Sequence, residues 1–167
     1  MRTHRLSLAA WLVVAVSGCV TVPPSPVMAV GSVQGKGPRS PLVGREVVIE
    51  GSITADFRAG LGLMTLQGDG DGDAATSDAM FLVDAPAALK SGHRVRVRGT
   101  VRERDSGRGR SITTVEVLDA QPLPPMPAPA SRTLDGLPPD DAGWESLEAM
   151  RVSMSPPLTL VASHNAA

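Results

Sequence analysis

Apolar and polar residues alternate along five stretches of the chain, and each stretch predicts a β-strand. The stretches are residues 45–56, 61–67, 79–84, 93–104 and 110–120. The fourth has the clearest pattern, because valines occupy odd-numbered positions and arginines occupy even-numbered ones. Gly99 interrupts this alternation and predicts a bulge or a sharp bend. The pattern therefore predicts strands with one apolar face and one polar face.

The order of the predicted elements indicates the fold. Residues 85–92 are rich in alanine, with Pro86 near the start and Gly92 at the end, which predicts one or two helical turns. Three strands, a short helix and two strands follow the order of an OB-fold, a small five-stranded Greek-key barrel. An all-β sandwich would need about seven strands. We therefore predict an all-β, OB-fold-like barrel of five strands with one short helix, over residues 42–120.

The N-terminus has the layout of a signal peptide over residues 1–18. Arg2 and Arg5 precede an apolar run over residues 6–18. The run ends in "VSGC", which resembles a bacterial lipobox, in which the cysteine becomes the lipidated first residue. Cys19 is the only cysteine of the chain, so no intramolecular disulfide can form. We expect Cys19 to anchor an outer-membrane lipoprotein in the cell envelope. The alternatives are an ordinary signal peptide in which the cysteine is incidental, or cleavage later, after Ala29.

Regions rich in proline flank the predicted barrel on both sides. Residues 19–41 contain prolines and glycines without an apolar period and predict a flexible tether. Residues 121–140 hold seven prolines and predict an extended linker. Residues 141–167 predict an amphipathic helix, capped by Asp140 or Asp141, and a short strand at 158–163. We interpret this last region as the start of a truncated next domain.

Aspartates at alternate positions in "LQGDGDGDAATSDAMFL" suggest a metal loop. An EF-hand loop would need glycine and glutamate where this sequence has Ala74 and Met80, so that motif is excluded. A looser calcium site is compatible with the carboxylates, because calcium accepts six to eight oxygens in flexible geometry. The alternative is a solvated turn, since Asp-Gly pairs favour turns. The predicted calcium ligands are Asp69, Asp71, Asp73 and Asp78.

The arginines of the fourth strand form the second candidate site. They share one face and could bind the phosphates of single-stranded nucleic acid, as OB-folds do. The chain has a net charge of −1, so the positive charge is local. Such proteins also stack bases on aromatic rings, and the predicted core offers only Phe57 and Phe81. The alternative is a solvated edge strand. The candidate residues are Arg94, Arg96, Arg98, Arg102 and Arg104.

Four segments resemble ExeM/NucH-type secreted bacterial endonucleases. They are "GREVVIEGSITADF", "GDGDAATSDAMFL", "LKSGHRVRVRGTVRE" and "WESLEAMRVSMSPPLTL", which occur in the same order as in that family. The resemblance covers residues 42 to about 161. It implies an OB-like region ahead of a metal-dependent catalytic domain of the endonuclease/exonuclease/phosphatase class. This chain stops after "LVASHNAA", where the related proteins continue.

The predicted function follows from this missing part. The histidines, His4, His93 and His164, do not lie at positions expected to converge with an aspartate. We expect a lipid-anchored binding module without catalysis of its own. Its expected partners are the membrane, through Cys19, and single-stranded or fragmented nucleic acid. The alternative is a front fragment or non-catalytic subunit of an extracellular endonuclease whose catalytic domain is encoded separately.

Overall fold

Five strands form a closed ring in the computed structural model, which describes residues 25–107 and 110–155. A short strand, β1, precedes them and extends the sheet to six strands. The order is β1-β2-β3-β4-β6-β5, and β2 also pairs with β5, which closes the ring. The strands are β1 Val27–Met28, β2 Glu46–Phe57, β3 Leu63–Gln67, β4 Ala79–Val83, β5 Arg94–Gly107 and β6 Arg110–Pro122.

The pairing within the ring is mixed. The neighbours are antiparallel except for β4 with β6, which run parallel. Long strands that bend can pair with different neighbours along their length, and β2 does so with β5 near its start and with β3 near its end. The prediction of a small all-β, barrel-like fold is confirmed.

The core of the barrel is built by alternation along the strands. Val95, Val97 and Val101 of β5 are fully buried, as the odd-numbered valines predicted. The register between β5 and β6 shifts between Arg98 and Gly99, where Leu118 is the extra residue on β6, whereas β5 keeps an unbroken register with β2. The irregularity predicted in β5 therefore lies in β6, opposite Gly99. A side chain at Gly99 would collide with the backbone of β6, so this position requires glycine. The other large buried side chains are Ile49, Ile53, Met64, Leu66, Met80, Leu82 and Val115.

The segment between β4 and β5 does not form the predicted helix. It folds into two consecutive turns, in which Leu89 N donates to Pro86 O at 3.0 Å and His93 N donates to Lys90 O at 3.1 Å. A stretch this short has too few residues to offset the cost of starting a helix. Leu89 instead inserts into the core, where it is 6% exposed.

The predicted tether is wrong from residue 27 onward. Strand β1 pairs parallel with β2, and helix α1 follows at Val30–Gln34. Val33 is fully buried and Val30 is 4% exposed, so both belong to the barrel core. The driving force is the burial of these valines, which outweighs the cost of ordering a chain rich in glycine and proline. The signal peptide, Cys19 and the rest of the tether up to residue 24 lie outside the described residues.

The region after β6 is also more ordered than predicted. Strand β7, Arg132–Leu134, lies within the predicted linker and pairs parallel with β8, Val152–Met154. Helix α3 spans only Asp141–Glu145, where Asp140 Oδ1 accepts from Gly143 N at 2.9 Å as an N-cap. The predicted helix therefore ends early, and turns continue to Ala149, which has a φ of 60°. The strand predicted at 158–163 lies outside the described residues. No helix in the described ranges is long and apolar enough to cross a membrane.

Candidate nucleic-acid interface

The N-terminal half of β5 presents three arginines that are balanced by carboxylates. Arg94 donates to both carboxylate oxygens of Asp69, at 3.0 and 2.9 Å. Strand β2 runs beside β5 and contributes glutamates to the other two arginines. Arg96 Nε lies 2.7 Å from Glu50 Oε1, and Arg98 Nη1 lies 3.1 Å from Glu46 Oε1. The predicted outward orientation is correct, but the positive charge of this half is neutralised.

The half of β5 beyond Gly99 is less neutralised. Arg102 pairs with Glu116 at 3.2 Å, and its side chain is 56% exposed. Arg104 donates only to the main-chain oxygen of Leu61, at 3.4 Å. Across residues 25–107 and 110–155, no carboxylate lies within 4.0 Å of the Arg104 guanidinium. Arg104 is therefore the arginine of this strand that is best able to bind an external phosphate.

The phenylalanines lie outside the hydrophobic core of the barrel. Met80 and Leu82 fill the core, so Phe81 between them points outward and is half-buried. In the register of the sheet, Phe81 lies beside Thr114, and Thr114 lies beside Arg102. Phe81 therefore shares an outer face with Arg102. Because residues 79–83 are all apolar, their sequence alone did not reveal which side chain faces outward.

Phe57 extends the same outer face at the end of β2. It pairs with Leu63, which pairs with Val83, two positions along β4 from Phe81. Its ring is 46% exposed, beside Leu61, which is 61% exposed. The sequence signal for this exposure was weak: Phe57 is the last residue of its strand and precedes a charged residue.

The loop between β2 and β3 is bonded to the barrel through Arg58. It contains the one-turn helix α2, Arg58–Leu61. Arg58 pairs with Asp56 at 2.6 Å and donates to Pro86 O and Leu89 O, each at 2.9 Å. Hydrogen bonds from Arg58 lower the pKa of Asp56 to about 2. These contacts fix the loop that holds Phe57 and Leu61 at the surface.

We call Phe57, Phe81, Arg102 and Arg104 the aromatic face. Phe81 lies on β4 and Phe57 at the end of β2, just before the β2–β3 loop, whereas the arginines lie on β5, which β6 separates from β4. OB-folds bind oligonucleotides on the second and third barrel strands and the adjoining loops. Exposed rings can stack on bases, while guanidinium groups pair with phosphates. The arrangement supplies both kinds of contact on one surface.

The aspartate loop is arranged as a hydrogen-bonded turn. Asp71 accepts from Asp73 N at 2.9 Å and from Thr76 Oγ1 at 3.2 Å, and Asp78 accepts from Asp71 N at 3.1 Å. Asp73 also pairs with Lys36 at 2.7 Å. In the described part of the chain, no three or more His, Cys, Asp or Glu side chains are close enough to hold a metal ion. The calcium site stays a prediction.

Two of these aspartates are committed to basic partners. The hydrogen bond from Arg94 lowers the pKa of Asp69, and the hydrogen bond from Lys36 lowers the pKa of Asp73. Burial raises the pKa of Asp78 instead. A calcium ion would therefore have to displace Lys36 and Arg94 to collect all four predicted ligands.

Comparisons with known proteins give matches among solved structures only. No family model and no curated protein matches it. Among solved structures, an aspartyl-tRNA synthetase-like protein from Leishmania major Friedlin is 14% identical at a TM-score of 0.46, covering 78% of this chain. A DUF3299 family protein from Pseudomonas aeruginosa PAO1 is 16% identical at a TM-score of 0.35, covering 64% of this chain and 90% of that one. This chain spans only 29% of the synthetase-like protein.

Proposed function

We propose that this chain is a lipid-anchored, non-catalytic binding module of the cell envelope that contacts single-stranded or fragmented nucleic acid through its aromatic face. The anchor is Cys19 in the outer membrane, and the module is related to the accessory region of a secreted nuclease. The observation that supports nucleic-acid contact is the placement of Phe57 and Phe81 on the same outer face as Arg102.

The chemistry of this contact is the usual one for single strands. Stacking of one base on an aromatic ring contributes about 1–3 kcal/mol and tolerates any base, so the contact does not depend on sequence. Arg104 is free of carboxylates among the described residues and pairs with a backbone phosphate. The binding is weak, because two rings and two arginines make few contacts.

Fluorescence anisotropy of a labelled single-stranded oligonucleotide tests the proposal. Phe57→Leu keeps an apolar side chain but removes the ring, and it should weaken binding by about 5- to 150-fold, which corresponds to the loss of one stacked base. Arg104→Gln should reduce the slope of log K against log salt by about 0.7, the value for one phosphate of a single strand. Arg96→Gln is the matched control, because Arg96 is already paired with Glu50.

The control separates the two halves of β5. Arg96→Gln should leave both the affinity and the salt slope close to those of the parent. Absence of binding by the folded parent protein at low salt would contradict nucleic-acid contact, and so would an equal loss from Arg96→Gln and Arg104→Gln.

The anchor is tested separately in cells. Cys19→Ser should block lipidation and move the protein out of the membrane fraction. Unchanged fractionation of this variant would contradict the proposed lipid anchor without affecting the nucleic-acid proposal.

A second candidate function is a non-catalytic subunit of a separately encoded nuclease. The observation that favours it is a set of exposed apolar side chains after the barrel, Leu137, Trp144 and Val152, which are 66%, 45% and 45% exposed. If an adjacent reading frame encodes a metal-dependent nuclease domain, this chain should stimulate that nuclease. Trp144→Ser should then abolish the stimulation, and no stimulation by the parent chain would exclude this function.

A further inference from the structure

The outer surface formed by the first part of β2, the first part of β5 and the last part of β6 has a different character from the aromatic face. A groove of about 500 Å³ crosses it, and we call this the arginine groove. Arg96, Arg98, Asp119 and Gln121 line the groove, together with Ser25 at the start of the described chain. The chain from the N-terminus therefore enters the folded barrel at this surface.

The distance to the proposed lipid is short. Only residues 20–24 separate Cys19 from Ser25. Six consecutive Cα steps of about 3.3–3.6 Å reach at most about 20 Å when fully extended. Because β1 and α1 belong to the core, the long tether predicted from the sequence is not available to lift the barrel away. An acylated Cys19 would hold the arginine groove close to the lipid headgroups.

The charges of the groove alternate in sign. Arg96 pairs with Glu50, Arg98 pairs with Glu46, and Asp119 lies beside Arg98 in the sheet register. Two arginines thus face three carboxylates, a combination that repels a polyanion such as nucleic acid. A headgroup that carries both a phosphate and an ammonium group matches both signs, because arginine forks pair with phosphates and carboxylates pair with ammonium groups.

The apolar residues at the edges of this surface fit the same partner. Val27 is 46% exposed in β1, beside Val48 on the groove floor, and Leu118 is 53% exposed beside Asp119. Apolar side chains at the edge of a surface that touches a membrane can enter the boundary between headgroups and acyl chains. We propose that the arginine groove docks on phosphatidylethanolamine headgroups of the membrane in which Cys19 is anchored. This inference rests on the lipid anchor of the proposed function.

Cysteine labelling of the lipidated protein on vesicles tests the docking. Cys19 is the only cysteine, so an acylated parent chain should not react with a water-soluble maleimide. Gln121→Cys places a thiol in the groove, and Asp135→Cys places a matched thiol on the exposed turn after β7. On vesicles of phosphatidylethanolamine and phosphatidylcholine, Gln121→Cys should react several-fold more slowly than Asp135→Cys. The two rates should become similar in detergent.

Further variants assign the protection to the groove. Arg96→Gln combined with Arg98→Gln should restore fast labelling of Gln121→Cys on vesicles, whereas Arg102→Gln should leave the protection intact. Equal rates on vesicles would overturn the docking while the anchor stands. Labelling of the parent chain at Cys19 would overturn the anchor and the docking together. Protection of Gln121→Cys by single-stranded DNA in detergent would assign the groove to nucleic acid and overturn the membrane contact.

Discussion

The two flanks of the barrel look alike in sequence but attach to it by different physics. Both contain proline-rich stretches, which were predicted to be a flexible tether before the barrel and an extended linker over residues 121–140 after it. The N-terminal flank, residues 25–41, inserts Val30 and Val33 into the core. The C-terminal flank, residues 123–155, places few large side chains in the interior and is held mainly by hydrogen bonds.

The hydrogen bonds of the C-terminal flank end on buried polar side chains of the barrel. Gln67 is 3% exposed, and its amide group bonds Ala130 O and Arg151 N, each at 3.3 Å. Ser77 is 1% exposed and donates to Glu148 O at 2.5 Å. Buried polar groups are almost always satisfied. Without the flank, the Gln67 amide group would lose its two partners and Ser77 would lose its bond to Glu148, so the barrel and this flank share hydrogen bonds at buried positions.

The Glu148 carboxylate connects the two flanks. Its Oε1 accepts from Gln34 Nε2 of α1 at 3.1 Å and from Thr113 N of β6 at 2.9 Å. Gln34 Nε2 also donates to Ala79 O at 3.0 Å. Proline content alone therefore does not separate a linker from a docked segment. Whether a segment docks depends on the burial of a few side chains, which are valines in the N-terminal flank and polar groups where the C-terminal flank meets the barrel.

The largest effect is expected in the N-terminal flank. Val33→Asp places a carboxylate at a fully buried position and should destabilise the fold by more than about 3 kcal/mol. Val33→Ala is milder and should cost about 2 kcal/mol through lost burial and a residual cavity. Urea unfolding followed by circular dichroism measures both. Val27→Ala, at an exposed position of the same flank, should change stability by less than about 0.5 kcal/mol. Equal values at positions 27 and 33 would show that this flank does not contribute to the core.

A smaller effect is expected where the C-terminal flank meets the barrel. Ser77→Ala leaves the carbonyl of Glu148 without its donor, which should cost about 1–3 kcal/mol. The flank should also open locally, so trypsin should cleave after Arg132 or Arg151 faster than in the parent. Ser153→Ala is the control, because Ser153 bonds only Thr133 in an exposed pair. Unchanged cleavage in Ser77→Ala would mean that other contacts hold the flank.

The sequence predicted the barrel better than its flanks. The alternation of Val and Arg along β5 and the role of Gly99 were readable, because strand periodicity is a local property. The apolar residues of the N-terminal flank span only positions 27–33 between prolines and glycines, too few to display a period. The hydrogen bonds of Gln67 and Ser77 join residues about 60–85 positions apart, a separation that no local pattern reveals.

The same limit applies to the candidate site. The outward arginines were predicted, but their carboxylate partners come from β2, β6 and the aspartate loop, which the barrel brings beside β5. The exposure of Phe57 and Phe81 depends on which face of β4 meets the core. Only the three-dimensional register distinguishes Arg104 from Arg96.

The pH response of the junction between the flanks should be smaller still. Burial raises the pKa of Glu148 above its usual value, although hydrogen bonds from Gln34 and Thr113 oppose the rise. Because the folded state then binds the proton more tightly than the unfolded state, Glu148 favours folding most below the unfolded pKa of about 4.3. That contribution is lost as the pH rises through the raised pKa.

Glu148→Gln tests this sign directly. The amide keeps an oxygen acceptor for Gln34 and Thr113 but carries no charge. The variant should gain stability relative to the parent at pH 7, and the gain should shrink as the pH falls toward 4. Asp135→Asn, on an exposed turn, is the control for general charge effects. A difference between Glu148→Gln and the parent that does not vary with pH would contradict the raised pKa.

The smallest effect is expected from calcium at the aspartate loop, which contacts the N-terminal flank through Lys36. Because Asp69 and Asp73 already have basic partners, calcium binding should be weak. At ten times its dissociation constant, calcium would stabilise the fold by about 1.4 kcal/mol through mass action. Calcium should therefore raise the melting temperature, and Asp71→Ala should abolish this rise. Lys36→Gln should show the same rise at a lower calcium concentration, because the ammonium group that competes with the ion is removed. Coincident melting curves in calcium and in chelator would leave the loop as a hydrogen-bonded turn that contacts the N-terminal flank only through the Lys36–Asp73 ion pair among the described side chains.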